Sequence, residues 1–137
     1  MLGYLAGIAD GEGCFTISVG TGKHHVPSFY LGMTDLECCQ LFQDYFGGIL
    51  TFKPSKIDGW KGIWRYEAHG NSLADLLSSL SPYLILKSKQ ASILEDYQAS
   101  QRDKRRRLKY NGIPPDIMKY RNELMYMIHA LNKRGTK

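Results

Sequence analysis

Two carboxylates separated by one glycine, Asp10 and Glu12, close the run Leu5-Ala6-Gly7-Ile8-Ala9-Asp10-Gly11-Glu12-Gly13. Leu2 to Asp10 reads as a short helix, so both acids fall at its C-terminal end. The helix dipole is negative there and disfavours them. Local rules of this kind tend to be broken at functional sites. A divalent cation such as Mg2+ would offset the repulsion, because it takes carboxylate and carbonyl oxygens. The flanking glycines would let a phosphate backbone approach closely. The competing structural role is a glycine-capped helix with a polar turn.

Other reactive side chains form no comparable group. Cys14, Cys38 and Cys39 fit no metal-ligand spacing and cannot all pair with one another. They read as reduced thiols in a reducing compartment. Adjacent His24 and His25 point to opposite sides of a strand, which argues against a shared metal. Charge is unevenly distributed. Through Leu84 there are 5 basic and 8 acidic residues, and from Ile85 onward 13 basic and 5 acidic. The asymmetry suggests a polyanionic partner for the C-terminal part. Arg102 to Lys109 is its densest stretch, read equally as a solvated helix end or as a contact to flanking phosphates.

The chain has 137 residues, 43% of them hydrophobic, enough for one domain with one core. No apolar run approaches the ~20 residues that cross a bilayer. The stretch from Leu2 to Ala9 is interrupted by glycines and lacks a basic flank, so it is not read as a signal peptide. A cytoplasmic protein without a membrane partner is expected.

The elements that must position the acids follow from periodicity. Phe15, Ile17 and Val19 alternate with Thr16 and Ser18, and Phe29, Leu31 and Met33 repeat the alternation after a Gly20–Lys23 turn. Thr34 or Asp35 caps a helix with Leu36, Cys39, Phe42 and Phe46 on one face, ended by Gly47-Gly48. Ile49–Lys53 and Ile63–Ala68 form a second strand pair. Asn71 or Ser72 caps a helix carrying Leu73, Leu76, Leu77 and Leu80, stopped at Ser81-Pro82. Ser88 caps another with Ala91, Leu94 and Tyr97. Asn111-Gly112 breaks the chain before a last helix opened by Pro114 or Pro115, with Ile117, Tyr120, Leu124, Ile128 and Leu131 as its apolar stripe.

Strands in hairpin pairs predict an α+β domain: an antiparallel sheet with helices on one face. The other face would carry Thr16, Ser18, Ser28, Tyr30, Thr51, Lys53, Arg65 and Glu67. Trp64 and Tyr66 alternate with Arg65 and are expected toward the core.

The nine residues from Leu5 to Gly13 resemble, nearly position for position, the signature of the LAGLIDADG homing endonucleases. The order helix, two strands, helix, two strands, helix matches that family over about residues 2–100. The resemblance implies an αββαββα core at residues 1–100, with a saddle-shaped sheet and a basic C-terminal helical extension at 101–137. It implies a site-specific endonuclease that hydrolyses both strands of DNA across the minor groove, encoded within an intron or similar element and organellar if that element is. The cofactor would be Mg2+, with Mn2+ as a substitute and Ca2+ supporting binding without cleavage. Glu12 falls on the catalytic, metal-binding acid, helped by the Gly11 carbonyl, while Asp10 takes a structural role.

One motif implies a homodimer on a long, near-palindromic duplex, with Leu5, Ala6, Gly7 and Ile8 at the interface and Gly3 allowing close approach. The family's basic catalytic position falls on Ile85, so Lys87 becomes the candidate and Lys89 the runner-up. The water-positioning polar residue of the second strand falls near Met33 or Thr34 and is unassigned. DNA contacts are expected from Thr16, Ser18, Ser28, Tyr30, Lys53 and Arg65 on the sheet, from Lys23, His25, Lys56 and Lys61 around its loops, and from Lys89. The alternatives are a non-cutting RNA maturase that aids intron splicing and a DNA-binding regulator on the same fold.

Overall fold

A computed structural model of the chain describes residues 1–19, 25–102 and 113–133. Lys23, His24 and most of the basic stretch from Arg102 to Lys109 lie outside these. The elements are α1 (Leu2–Glu12), β1 (Gly13–Val19), β2 (His25–Met33), α2 (Leu36–Phe46), β3 (Ile49–Lys53), β4 (Ile63–Ala68), α3 (Gly70–Leu80), α4 (Ser88–Arg102) and α5 (Pro115–Asn132). A short 3-10 turn at Ser81–Tyr83 joins α3 to the loop before α4. No described helix is long and apolar enough to cross a membrane.

The four strands form one antiparallel sheet in the order β1-β2-β4-β3. Period-two alternation sends Phe15, Ile17, Phe29, Leu31, Tyr66 and Ala68 into the core. Phe29 lies at its centre, 4.8 Å from the Phe15 ring and 5.6 Å from that of Phe42. The α3 leucines 73, 76, 77 and 80 close the core from the helical side, all buried as the heptad-like spacing predicts. Trp64 packs at 4.8 Å against Phe52 on this same side.

α1 runs into β1 without a loop. The Gly13 backbone is extended, and its N–H donates to the Ala9 carbonyl. A Cβ there would enter the Phe29 ring and lie 2.8 Å from the Ala9 oxygen, so close approach demands glycine.

Two local expectations are corrected. α3 starts at Gly70 with His69 as N-cap, rather than at Asn71 or Ser72. The Ser72 hydroxyl sits in the first turn, accepting from His69 N–H and donating to its carbonyl. On α5 the buried set is Ile117, Arg121, Leu124, Met125 and Ile128, while Tyr120 and Leu131 are exposed. The stripe is shifted because Arg121 is buried with its partners: its Nε donates to Ser100 Oγ and its Nη2 to the Ser100 carbonyl.

α5 packs on α4 and along β1. β1 is an outer strand of the sheet, and two of its carbonyls, those of Phe15 and Ile17, are met by α5 side chains. Asn132 Nδ2 donates to Phe15 at 2.8 Å, and His129 Nε2 lies 2.8 Å from the Ile17 oxygen.

Candidate nucleic-acid interface and active site

The fold separates the two acids of the opening motif. Asp10 accepts three backbone N–H bonds, from Ile85 at 2.8 Å, Leu86 at 3.1 Å and Lys87 at 3.0 Å. These donors lie just before α4, so the carboxylate that sits badly at the end of α1 sits well at the positive end of another helix. The same loop brings Lys87 to α1: its ammonium donates to the Gly13 carbonyl. Ser88, expected to cap α4, is its first residue and bonds back to the Ile85 carbonyl. The loop leading into the helix is instead held by Asp10, far away in sequence.

Glu12 is exposed and has no hydrogen-bond or ion-pair partner among the described residues. It lines a groove of about 520 Å³ with Cys14, Tyr30, Lys53, Lys61 and Arg65. The last carbonyls of an α-helix lack intrahelical partners, so the Gly11 carbonyl, in the last turn of α1, is a hard oxygen donor adjacent in sequence to the Glu12 carboxylate. That donor chemistry fits Mg2+ or Ca2+. Among the described residues no three His, Cys, Asp or Glu side chains cluster as a closed metal cage.

The open sheet face carries Thr16 and Ser18 of β1, Tyr30 of β2, Arg65 and Glu67 of β4, and Thr51 and Lys53 of β3, as alternation predicts. Lys56 and Lys61 are exposed in the loop between β3 and β4. Ser18 donates to the Val26 carbonyl at 3.4 Å. Cys14 and Trp60, not expected as lining residues, also border the groove. Alternation with Thr16 places Cys14 on this face.

Several expected site residues are placed differently. Ser28 is on the open face by parity but fully buried, its hydroxyl turned to the Val26 carbonyl. The short side chain lies between Thr16, directly across, and the larger Val26 and Tyr30. His25 falls on the helical side, 6.2 Å from the Tyr97 ring, because its parity matches that of Phe29 and Leu31. Burial first, then the charges of Arg121 and His129, hold its pKa below the usual histidine value. Lys89 lines a separate groove between α4 and α5, with Ile93, Met127 and Leu131.

On α1, Leu5 and Ala6 are fully buried in this chain's own core and are not available to a partner. The exposed face is Gly3, Tyr4, Gly7 and Gly11, with Ile8 half-buried. A Cβ on any of those three glycines would meet nothing within 4 Å.

Residues 5–100 match the LAGLIDADG endonuclease family. No curated protein matches the sequence. Among solved structures, the homing endonuclease I-CvuI, in complex with the I-CreI target, superposes with a TM-score of 0.73 at 21% identity, covering 99% of this chain and 83% of that one. The archaeal intron-encoded homing endonuclease I-Vdi141I, complexed with DNA, gives 0.77 at 18% identity, covering 99% and 86%. The LAGLIDADG meganuclease I-AabMI, bound to uncleaved DNA, gives 0.69 at 21% identity, with 91% of this chain matched to 43% of that one. At these identities the superpositions establish the shared αββαββα sheet architecture. With the sequence match spanning the motif helix, all four strands and nearly all of α4, the chain belongs to the LAGLIDADG endonuclease family.

Proposed function

We propose that the protein is a site-specific double-strand DNA endonuclease that works as a homodimer with a divalent metal. The observation that carries this reading is the division between the two acids. Asp10 is engaged in holding the start of α4, whereas Glu12 has no partner among the described residues and borders a lysine-rimmed groove. A non-cutting binder has no need of that second acid.

Glu12 and the Gly11 carbonyl would hold the cation. When bound, it supplies Lewis-acid activation of a phosphate and of a water. Lys87, tied by Asp10 to the end of α1, adds positive charge where a phosphate gains negative charge. It does so in place of a side chain at Ile85, which points away from any such role as an exposed aliphatic. Lys53, Lys56 and Lys61 bind phosphates along the groove rim, while the sheet face meets base edges in the major groove. Gly3, Gly7 and Gly11 let α1 of a second copy approach closely, which doubles the site and makes the target near-palindromic.

The test is in vitro selection of cleaved duplexes in Mg2+, repeated with Glu12→Gln. The unaltered protein should cut both strands of its selected site, and the variant should bind that site without cutting it. Binding in Ca2+ with no cleavage in Mg2+ by the unaltered protein would remove the nuclease reading and leave the maturase or regulator.

A further inference from the structure

Among the described residues, Arg65 is held differently from the other cations on the open face. It occupies β4, an inner strand, and its cross-strand neighbours are Gly32 on β2, which has no side chain, and Thr51 on β3, which has a small one. The guanidinium lies over the Tyr30 ring, 4.4 Å from its centroid. Its Nε is 3.0 Å from Glu67 Oε1, and the other oxygen of Glu67 is 3.4 Å from His69 Nε2. A ring beneath and a carboxylate at one edge fix the plane of the fork before any ligand arrives.

Resting on the DNA-binding reading above, we infer that Arg65 is the base-reading residue of the sheet, specific for guanine, with Tyr30 and Glu67 as its positioning residues. The Glu67 bond engages Nε, so it does not consume the two terminal Nη groups. Those are the pair that spans guanine O6 and N7. The adjacent carboxylate also disfavours a phosphate, which would meet a second negative charge at about 3 Å from the cation it seeks. A neutral base edge meets no such repulsion. Lys53 and Lys61, at the rim and without a carboxylate partner among the described residues, have the opposite preference.

Arg65 and Glu12 line the same groove. The guanine therefore lies within a few base pairs of the phosphate that Glu12 reaches, once in each half of the target.

The experiment is enrichment of a randomised duplex library by the full chain in Ca2+, comparing the unaltered protein with Arg65→Ala, Arg65→Lys and Glu67→Gln. The unaltered protein should enrich guanine at one position per half-site. Arg65→Ala should lose that preference by roughly 10- to 100-fold while the other positions keep theirs. Arg65→Lys, which keeps the charge without the fork, should retain affinity and lose most of the discrimination. Glu67→Gln should keep guanine first with a narrowed margin. If Arg65→Ala weakens binding equally on all sequences and leaves every position's preference intact, Arg65 is a phosphate contact and the assignment fails alone. If the unaltered protein enriches no sequence, the assignment falls together with the DNA-binding reading beneath it.

Discussion

Replacing Asp10 by alanine removes the acceptor of three backbone N–H groups at 2.8, 3.1 and 3.0 Å, and so unties the start of α4 from the end of α1. Loss of these bonds just ahead of the helix is comparable to loss of an N-terminal cap, about 0.5–2 kcal/mol. Loss of the negative charge at the positive end of the helix adds about 0.3–1 kcal/mol. Two of the three donors are near solvent and can turn to water, which keeps the sum near 2 kcal/mol rather than the larger figure for buried charged bonds. For a chain of this size that corresponds to about 6–8 °C in Tm. Asp10→Asn keeps one acceptor oxygen and should lose about half as much.

The assay is urea unfolding with chelator present and again with excess Mg2+. Asp10→Ala should shift the metal-free midpoint and keep its response to Mg2+. Glu12→Gln should do the reverse, since no bond among the described residues is broken. The altered Lys87 position should also lower cleavage at temperatures where Asp10→Ala remains folded. A metal-free midpoint unchanged in Asp10→Ala, together with a lost Mg2+ response, would show that Asp10 holds the cation. The roles argued for the two acids would then be wrong.

Two further outcomes follow from single residues. Gly7→Leu should raise monomer stability by about 0.5–1 kcal/mol, because the position is open and leucine is the better helix former. The same change should abolish self-association in sedimentation, and a dimer that survives it would exclude α1 as the interface. His25 has its folded pKa depressed by burial and by neighbouring cations. Below about pH 6.5 the unfolded chain therefore binds more protons there, and stability falls as pH drops toward the folded value. His25→Gln should flatten that part of the pH dependence of the urea midpoint, and an unchanged slope would count against the buried setting of the ring.

Periodicity made the sheet and its helical cover readable, because strands with one buried face must alternate and Phe15, Ile17, Phe29 and Leu31 do so without interruption. α1 was harder. Its small and apolar residues surround the whole helix, so the motif gave no sign of which face looks inward, and Leu5 and Ala6 prove to be core. Parity alone misplaced Ser28, whose side chain is too short to emerge between larger neighbours. His25 required strand parity to be counted back from Phe29 through Pro27 to the first residue of β2. The pairing of Asp10 with α4 could not be read locally, since the acid and its donors are separated by the whole sheet. Arg121 broke the stripe of α5 for a similar reason: its partner Ser100 lies on another helix, and only tertiary packing makes that position suitable for a charge.

The contacts of His129 and Asn132 with the Ile17 and Phe15 carbonyls also decide how copies of this protein can meet. An outer strand with bare carbonyls is a template onto which any extended chain can zip. Here the last helix acts as a selvage along that margin, so the sheet cannot lengthen from β1 by recruiting a second sheet. Growth of a continuous ribbon through two copies is closed on the β1 side of the sheet. The same seam means that a chain cut after α4 would keep the motif, the groove and all four strands, yet expose a raw border. Such a fragment should gather into strand-paired aggregates even though Asp10, Glu12 and Lys87 are all retained.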